Sequence, residues 1–100
     1  MKSGYKIIWT DHALDELRQT ISYLEQNFSD REIERLANQI ESTLALIATQ
    51  PAIFPESQRR VGVRRVVILR FNSLYYRANG QQIEILSFFS NRQDPKKIKF

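Results

Sequence analysis

Phe71-Asn72-Ser73-Leu74-Tyr75-Tyr76-Arg77-Ala78-Asn79-Gly80-Gln81-Gln82-Ile83-Glu84-Ile85-Leu86-Ser87-Phe88-Phe89 is the stretch from which the fold is read. Asn79-Gly80 is the strongest turn signal in the chain. A two-residue type I′ hairpin turn needs positive φ at both central residues, and this pair tolerates it. The flanking runs are rich in aromatic and β-branched residues, so 71–78 and 82–89 read as paired antiparallel strands. In the second of them, simple alternation puts Ile83, Ile85 and Phe89 on one face and Leu86 and Phe88 on the other. Apolar side chains on both faces place that strand inside a sheet, with both faces at least partly covered.

Working outward, Val63–Leu69 reads as the strand before this hairpin, and Pro51 and Pro55 mark a loop over about 51–60. Upstream of the prolines lie two amphipathic stripes. Ile33, Leu36, Ala37, Ile40, Leu44 and Ile47 recur at helical spacing, as do Leu14, Leu17, Ile21, Leu24 and Phe28. The spacing predicts helices over about 11–27 and 30–49. Thr10 stands as the N-cap of the first, and Ser29-Asp30-Arg31-Glu32 reads as a capping box opening the second. The short gap between them makes an antiparallel αα-hairpin. Tyr5–Trp9 is the first strand. The sum is an α+β fold, β-α-α-β-β-β, in one domain over 1–100: an αα-hairpin packed on one face of a mostly antiparallel four-stranded sheet, expected order 1-4-3-2. The hairpin can cover only one face. The tail 91–100 or another molecule is expected on the second, where Leu86 and Phe88 would meet a partner.

Charge is divided along the chain. Arg59, Arg60, Arg64, Arg65, Arg70 and Arg77 lie between Glu56 and Glu84 with no acidic residue among them. Residues 11–50 sum to −5 and residues 51–100 to +7, within a total of +4. A basic half joined to an acidic half gives one face that attracts anions. The chain has no cysteine, so it has no disulfide and no thiolate metal site. His12, the lone histidine, has no second histidine to share a metal with. No metal or other cofactor is expected. No run approaches the ~20 apolar residues of a membrane span, and the N-terminus lacks a secretory h-region. A cytoplasmic protein without membrane contact is the expectation.

Three segments together resemble a known family. Ile8-Trp9-Thr10-Asp11-His12-Ala13-Leu14-Asp15-Glu16-Leu17 is similar to its strand-into-helix opening. Ile47–Pro55 resembles its second helix end ahead of a basic loop. Tyr75-Tyr76-Arg77, then Ile83-Glu84-Ile85-Leu86, then Arg92-Gln93-Asp94 looks like its closing strands. On these residues the chain resembles the RelE/ParE superfamily of toxins from bacterial type II toxin–antitoxin, or plasmid stabilisation, modules. The resemblance implies growth inhibition by a small toxin that a cognate antitoxin holds inert. RelE-like members cut mRNA on the ribosome; ParE-like members poison DNA gyrase.

Metal-free RNA cleavage needs a base, an acid and cations for the phosphorane. Arg70 and Arg92 match arginines of the family and are the catalytic candidates if the chain is a ribonuclease. The proton carriers are missing from the pattern. Where many nuclease-type relatives carry a histidine this chain has Ser90, and no tyrosine follows Tyr76. The loss favours a ParE-like toxin acting on gyrase over a RelE-like toxin acting on ribosome and mRNA. A degenerate member that only binds its antitoxin is the third reading. Taken singly, Arg64, Arg65 and Arg70 read as solvated edge-strand charges. Taken together, the unmixed sign favours a target or nucleic-acid surface that includes Arg59, Arg60, Arg77, Arg92, Lys96 and Lys97. Tyr75 and Tyr76 face opposite sides of a strand, so one of them is core. His12 is a first-turn helix residue, and Ser87 and Ser90 lack a neighbouring base.

Overall fold

A computed structural model describes residues 4–58 and 60–90. Strand β1 (Lys6–Trp9) leads into helix α1 (Asp11–Asn27) and helix α2 (Asp30–Thr49). Strands β2 (Arg64–Ile68), β3 (Asn72–Asn79) and β4 (Gln82–Ser90) follow. The sheet order is β1-β4-β3-β2. The β2–β3 and β3–β4 pairs are antiparallel, and β1 joins β4 in parallel. The two-sided apolar strand is therefore interior, as its composition demands. Asn79 pairs with Gln82, so the two turn residues are Gly80 and Gln81. Gly80 has φ 65°, a left-handed value that favours glycine. Neither Asn79 nor Gln81 has positive φ, so the expected type I′ turn on Asn79-Gly80 is not formed.

The main core lies between the helices and the sheet. Ala13, Leu24, Leu36, Ile40 and Ile47 of the helices meet Leu74, Tyr76, Ile83, Ile85 and Phe88 of the sheet. Each fully buried Leu, Ile or Phe contributes roughly 1.5–3 kcal/mol, so this layer supplies most of the driving force. A smaller cluster of Val63, Tyr75 and Phe89, with Leu86 against it, occupies the opposite face.

That division corrects the expected faces of β4. Tyr76 pairs with Ile85, but the preceding Tyr75 pairs with Ser87, so Leu86 is an extra residue in a β-bulge. A bulge shifts the alternation of everything beyond it. Phe88 consequently turns to the helix side, fully buried and 6.4 Å from the ring of Trp9, while Phe89 turns away from the helices.

Thr10 caps α1 as expected. Its Oγ1 accepts from the Ala13 N–H at 3.2 Å and donates to the Ile85 carbonyl at 2.8 Å. One side chain thus closes a helix and anchors it to β4. The capping box at α2 does not form. Ser29 makes no side-chain cap; the Glu32 N–H goes to the Ser29 carbonyl, and the Glu32 carboxylate lies 3.8 Å from Arg35.

The strand β1 stops at Trp9, while β4 runs on to Ser90. Beyond Ile85 the edge of β4 would lack a partner, and a buried unpaired N–H is costly. Glu16 of α1 supplies one. Its Oε1 accepts from the Phe88 N–H at 2.9 Å and the Ser87 hydroxyl at 2.6 Å. At the other side of the sheet, 55–57 folds back along β2: the Arg65 N–H donates to Pro55 O and the Ser57 N–H to Val63 O. That covers part of an edge otherwise open to another chain. Replacing Glu16 by Ala leaves two buried donors unmet and should lower stability by roughly 2–3 kcal/mol. Glu16→Gln, which keeps an acceptor, should lose less; urea denaturation of the two variants measures the difference.

Candidate functional site

The arginines come from a segment whose strand alternation is strict, so register decides which way each points. Arg64 pairs with Tyr76 and Arg65 with Tyr75. Tyr76 belongs to the helix-side core, so Arg64 lies on that side. Its Nη1 donates to the Phe54 carbonyl at 2.6 Å. The Tyr76 hydroxyl donates to the Pro51 carbonyl at 2.7 Å. These two bonds fasten the 51–55 loop to the sheet. Burial pushes the Tyr76 phenol above its ordinary pKa, offset in part by the Arg64 charge and a hydrogen bond with the Phe54 backbone. Tyr76 therefore stays a neutral, committed donor.

Arg65 and Arg77 occupy the opposite face. Arg65 is exposed, and its Nε and Nη2 both reach Ser73 Oγ, at 3.2 and 3.0 Å. Arg77 pairs across the strands with Glu84, Nε to Oε1 at 2.6 Å. The arginine cluster read from sequence is thus divided. Arg65 and Arg77 share the face opposite the helices. Arg64 is a fastener on the helix side. Arg70 sits in the β2–β3 turn, exposed, and Arg60 is exposed in the loop before β2. Arg59, Arg92, Lys96 and Lys97 lie outside the described residues.

The proton-carrying groups are dispersed. His12 Nε2 is buried 3.3 Å from Glu16 Oε1, off the line a hydrogen bond requires, at the α1–β4 junction. Tyr75 and Tyr76 are buried on opposite faces. Ser90 ends β4, 8 % exposed. Among the described residues no group of three or more His, Cys, Asp or Glu is placed to hold a metal. No helix among them is long and apolar enough to cross a membrane. Sequence reasoning missed Glu16 as the cap of β4, since one acid in a helix rich in acids carries no such signal. It also missed an apolar groove of about 180 Å³ between α1 and α2, lined by Leu17, Ile21, Ile33, Leu36, Ala37 and Ile40. The helical stripe did announce those side chains, but not that they exceed what the sheet covers.

The geometry defines a small α+β protein that presents charged and apolar surfaces for contact and, among the described residues, no assembled set of proton carriers. Residues 7–95 match the family described as ParE toxin of type II toxin-antitoxin system, parDE, and the chain belongs to that family. A solved structure titled "Chromosomal ParDE TA system from P. aeruginosa" shares the fold with a TM-score of 0.72 at 17% identity, covering 86% of this chain and 95% of that one. No curated protein matches the sequence.

The two neighbouring arginines should separate cleanly by mutation. Arg64→Ala should cost about 1–2 kcal/mol, because the Phe54 carbonyl loses a charged donor. Arg65→Ala should stay within about 0.5 kcal/mol of the parent, as exposed substitutions do. On a heparin column the order should reverse, with Arg65→Ala eluting at lower salt than Arg64→Ala.

Proposed function

We propose that this chain is the toxin of a type II toxin–antitoxin module, acting by binding a cellular target, DNA gyrase, and neutralised by a cognate antitoxin. Family membership supports the toxin reading. The observation that favours binding over RNA cleavage is the state of the proton carriers. Tyr76 is buried with its hydroxyl committed to Pro51, and His12 is held beside Glu16, away from Arg65 and Arg77. General acid–base cleavage needs such groups within reach of the scissile phosphate. What the sheet offers is cationic surface, which suits a DNA-bound machine. Supercoiling by purified gyrase should fall as the chain is added, while mRNA on programmed ribosomes stays intact. Cleaved mRNA with unaffected supercoiling would overturn this and make Arg70 and Arg92 phosphorane-stabilising residues. Growth arrest should weaken with Arg92→Ala and survive His12→Ala and Ser90→Ala.

The antitoxin surface moves from its sequence-based assignment. Phe88 is fully buried in the helix-side core, so of the Leu86–Phe88 pair only Leu86 remains a contact candidate. The apolar groove between α1 and α2 fits the apolar stripe of an amphipathic antitoxin segment, which binds through residues one helical turn apart. Ala37 lies exposed in that groove. Ala37→Glu should abolish co-purification with the antitoxin and leave the fold intact by circular dichroism. Loss of binding in Leu86→Asp with no effect of Ala37→Glu would restore the sheet-face assignment.

A further inference from the structure

The two edges of the sheet differ. The β2 edge is partly covered by 55–57, where Glu56 bridges to Arg64. The β1 edge has no such cover among the described residues. Within β1 the alternate residues face β4: the Lys6 N–H donates to the Gln81 carbonyl and, just past the strand, the Thr10 N–H to the Ile85 carbonyl. Alternation therefore turns the N–H and C=O groups of Ile7 and Trp9 outward. None of these groups has a backbone partner among the described residues. The edge closes at Tyr5, whose N–H goes to the Ala48 carbonyl of α2, and again at Asp11, where α1 begins. The open stretch runs from Lys6 to Thr10, and Ile8 is its midpoint.

A row of open donors and acceptors is a template for another strand. This row is complementary to itself. A two-fold axis at Ile8 sets Ile7 of one copy opposite Trp9 of the other in an antiparallel pair, which exchanges both hydrogen bonds. The axis repeats the pair, so every outward group of Ile7 and Trp9 on both copies is used. A register centred on Ile7 would set Trp9 against Tyr5, whose N–H is already spent on Ala48. One centred on Trp9 would set Ile7 against Asp11, inside a helix.

The side chains agree with that register. Ile8 pairs with Glu84 and so lies on the face opposite the helices, as Arg77 does. It is half-buried yet belongs to neither core cluster. On the axis it meets its own copy. Lys6 falls opposite Thr10 of the second copy, next to that copy's Asp11. Lys6 and Asp11 are both exposed, and neither is in an ion pair among the described residues. A second copy answers both charges at once. We propose that β1 is a self-association edge through which two copies join their four-stranded sheets into one. The axis stands perpendicular to the sheet, so Arg65 and Arg77 of both copies face the same side and the cationic surface is doubled. So short a strand buries less than the roughly 800 Å² per partner of a stable interface, and the dimer is weak, with Kd on the order of 100 µM. The inference does not rest on the toxin reading.

Sedimentation equilibrium of the full chain from micromolar to millimolar concentration should show monomer giving way to dimer. Amide hydrogen exchange locates the contact: the Ile7 and Trp9 N–H groups should exchange readily in the monomer and slow about tenfold where dimer dominates. Ile8→Lys sets two like charges together on the axis and should leave a folded monomer at every concentration, checked by circular dichroism. Lys6→Glu and Asp11→Lys should each weaken the dimer, and the double variant should restore it, because the exchanged charges meet again only in an identical second copy. A monomer at millimolar concentration, Ile7 and Trp9 amides already slow in the monomer, self-association unchanged by Ile8→Lys, or a double variant no better than its parents would each overturn the proposal.

Discussion

The architecture depends on a mismatch in length between two neighbouring strands. The first strand has four residues and the fourth has nine, and they run side by side in parallel. Half of β4 would be left with an unpaired edge against the helices. The chain solves this with side chains of α1. Thr10 bonds the Ile85 carbonyl as it caps the helix, and Glu16, less than two turns later, receives Ser87 and the Phe88 N–H. The helix therefore stands in for the missing strand, and its place on the sheet is set by hydrogen bonds as well as by apolar contact. The bulge at Leu86 lies between these two anchors. It lets Phe88 join the helix-side core while Leu86 and Phe89 face the other way.

Much of this was legible in the sequence. Both helices were readable because their apolar residues recur at spacings of three and four over several turns. The hairpin was readable because Asn79-Gly80 has few other uses. The interior position of β4 followed from apolar residues on both sides of one strand. The faces of Phe88 and Phe89 were not legible, because a bulge is one residue inserted into a regular alternation and leaves no mark of its own in composition. The α2 cap failed for a related reason. Ser29 and Glu32 have the right spacing for a capping box, but the backbone bond to Ser29 and the pull of Arg35 satisfy the same groups differently.

The candidate surfaces were less legible than the fold. Six arginines in succession suggested one basic patch, yet alternation sends Arg64 and Arg65 to opposite faces, and the hairpin carries Arg70 to a turn. Charge counted along a strand overstates the charge on either face. Asn72 gave no signal at all: an asparagine in a β-hairpin reads as turn chemistry, and only the structure shows its Oδ1 buried without a hydrogen-bond partner. The resemblance implied that Ser90 and a missing tyrosine stand where RNA-cleaving relatives carry proton-transfer groups, and the tyrosines of β3 that remain, Tyr75 and Tyr76, are buried.

The proposed action is therefore occupancy of a target and not turnover of RNA. Mapping transcript 5′ ends across the genome shortly after the chain is induced without its antitoxin tests this most directly. The account predicts no new 5′ ends aligned to codon positions, alongside DNA-damage signalling in the same cells. Abundant new ends at fixed positions within codons would contradict it.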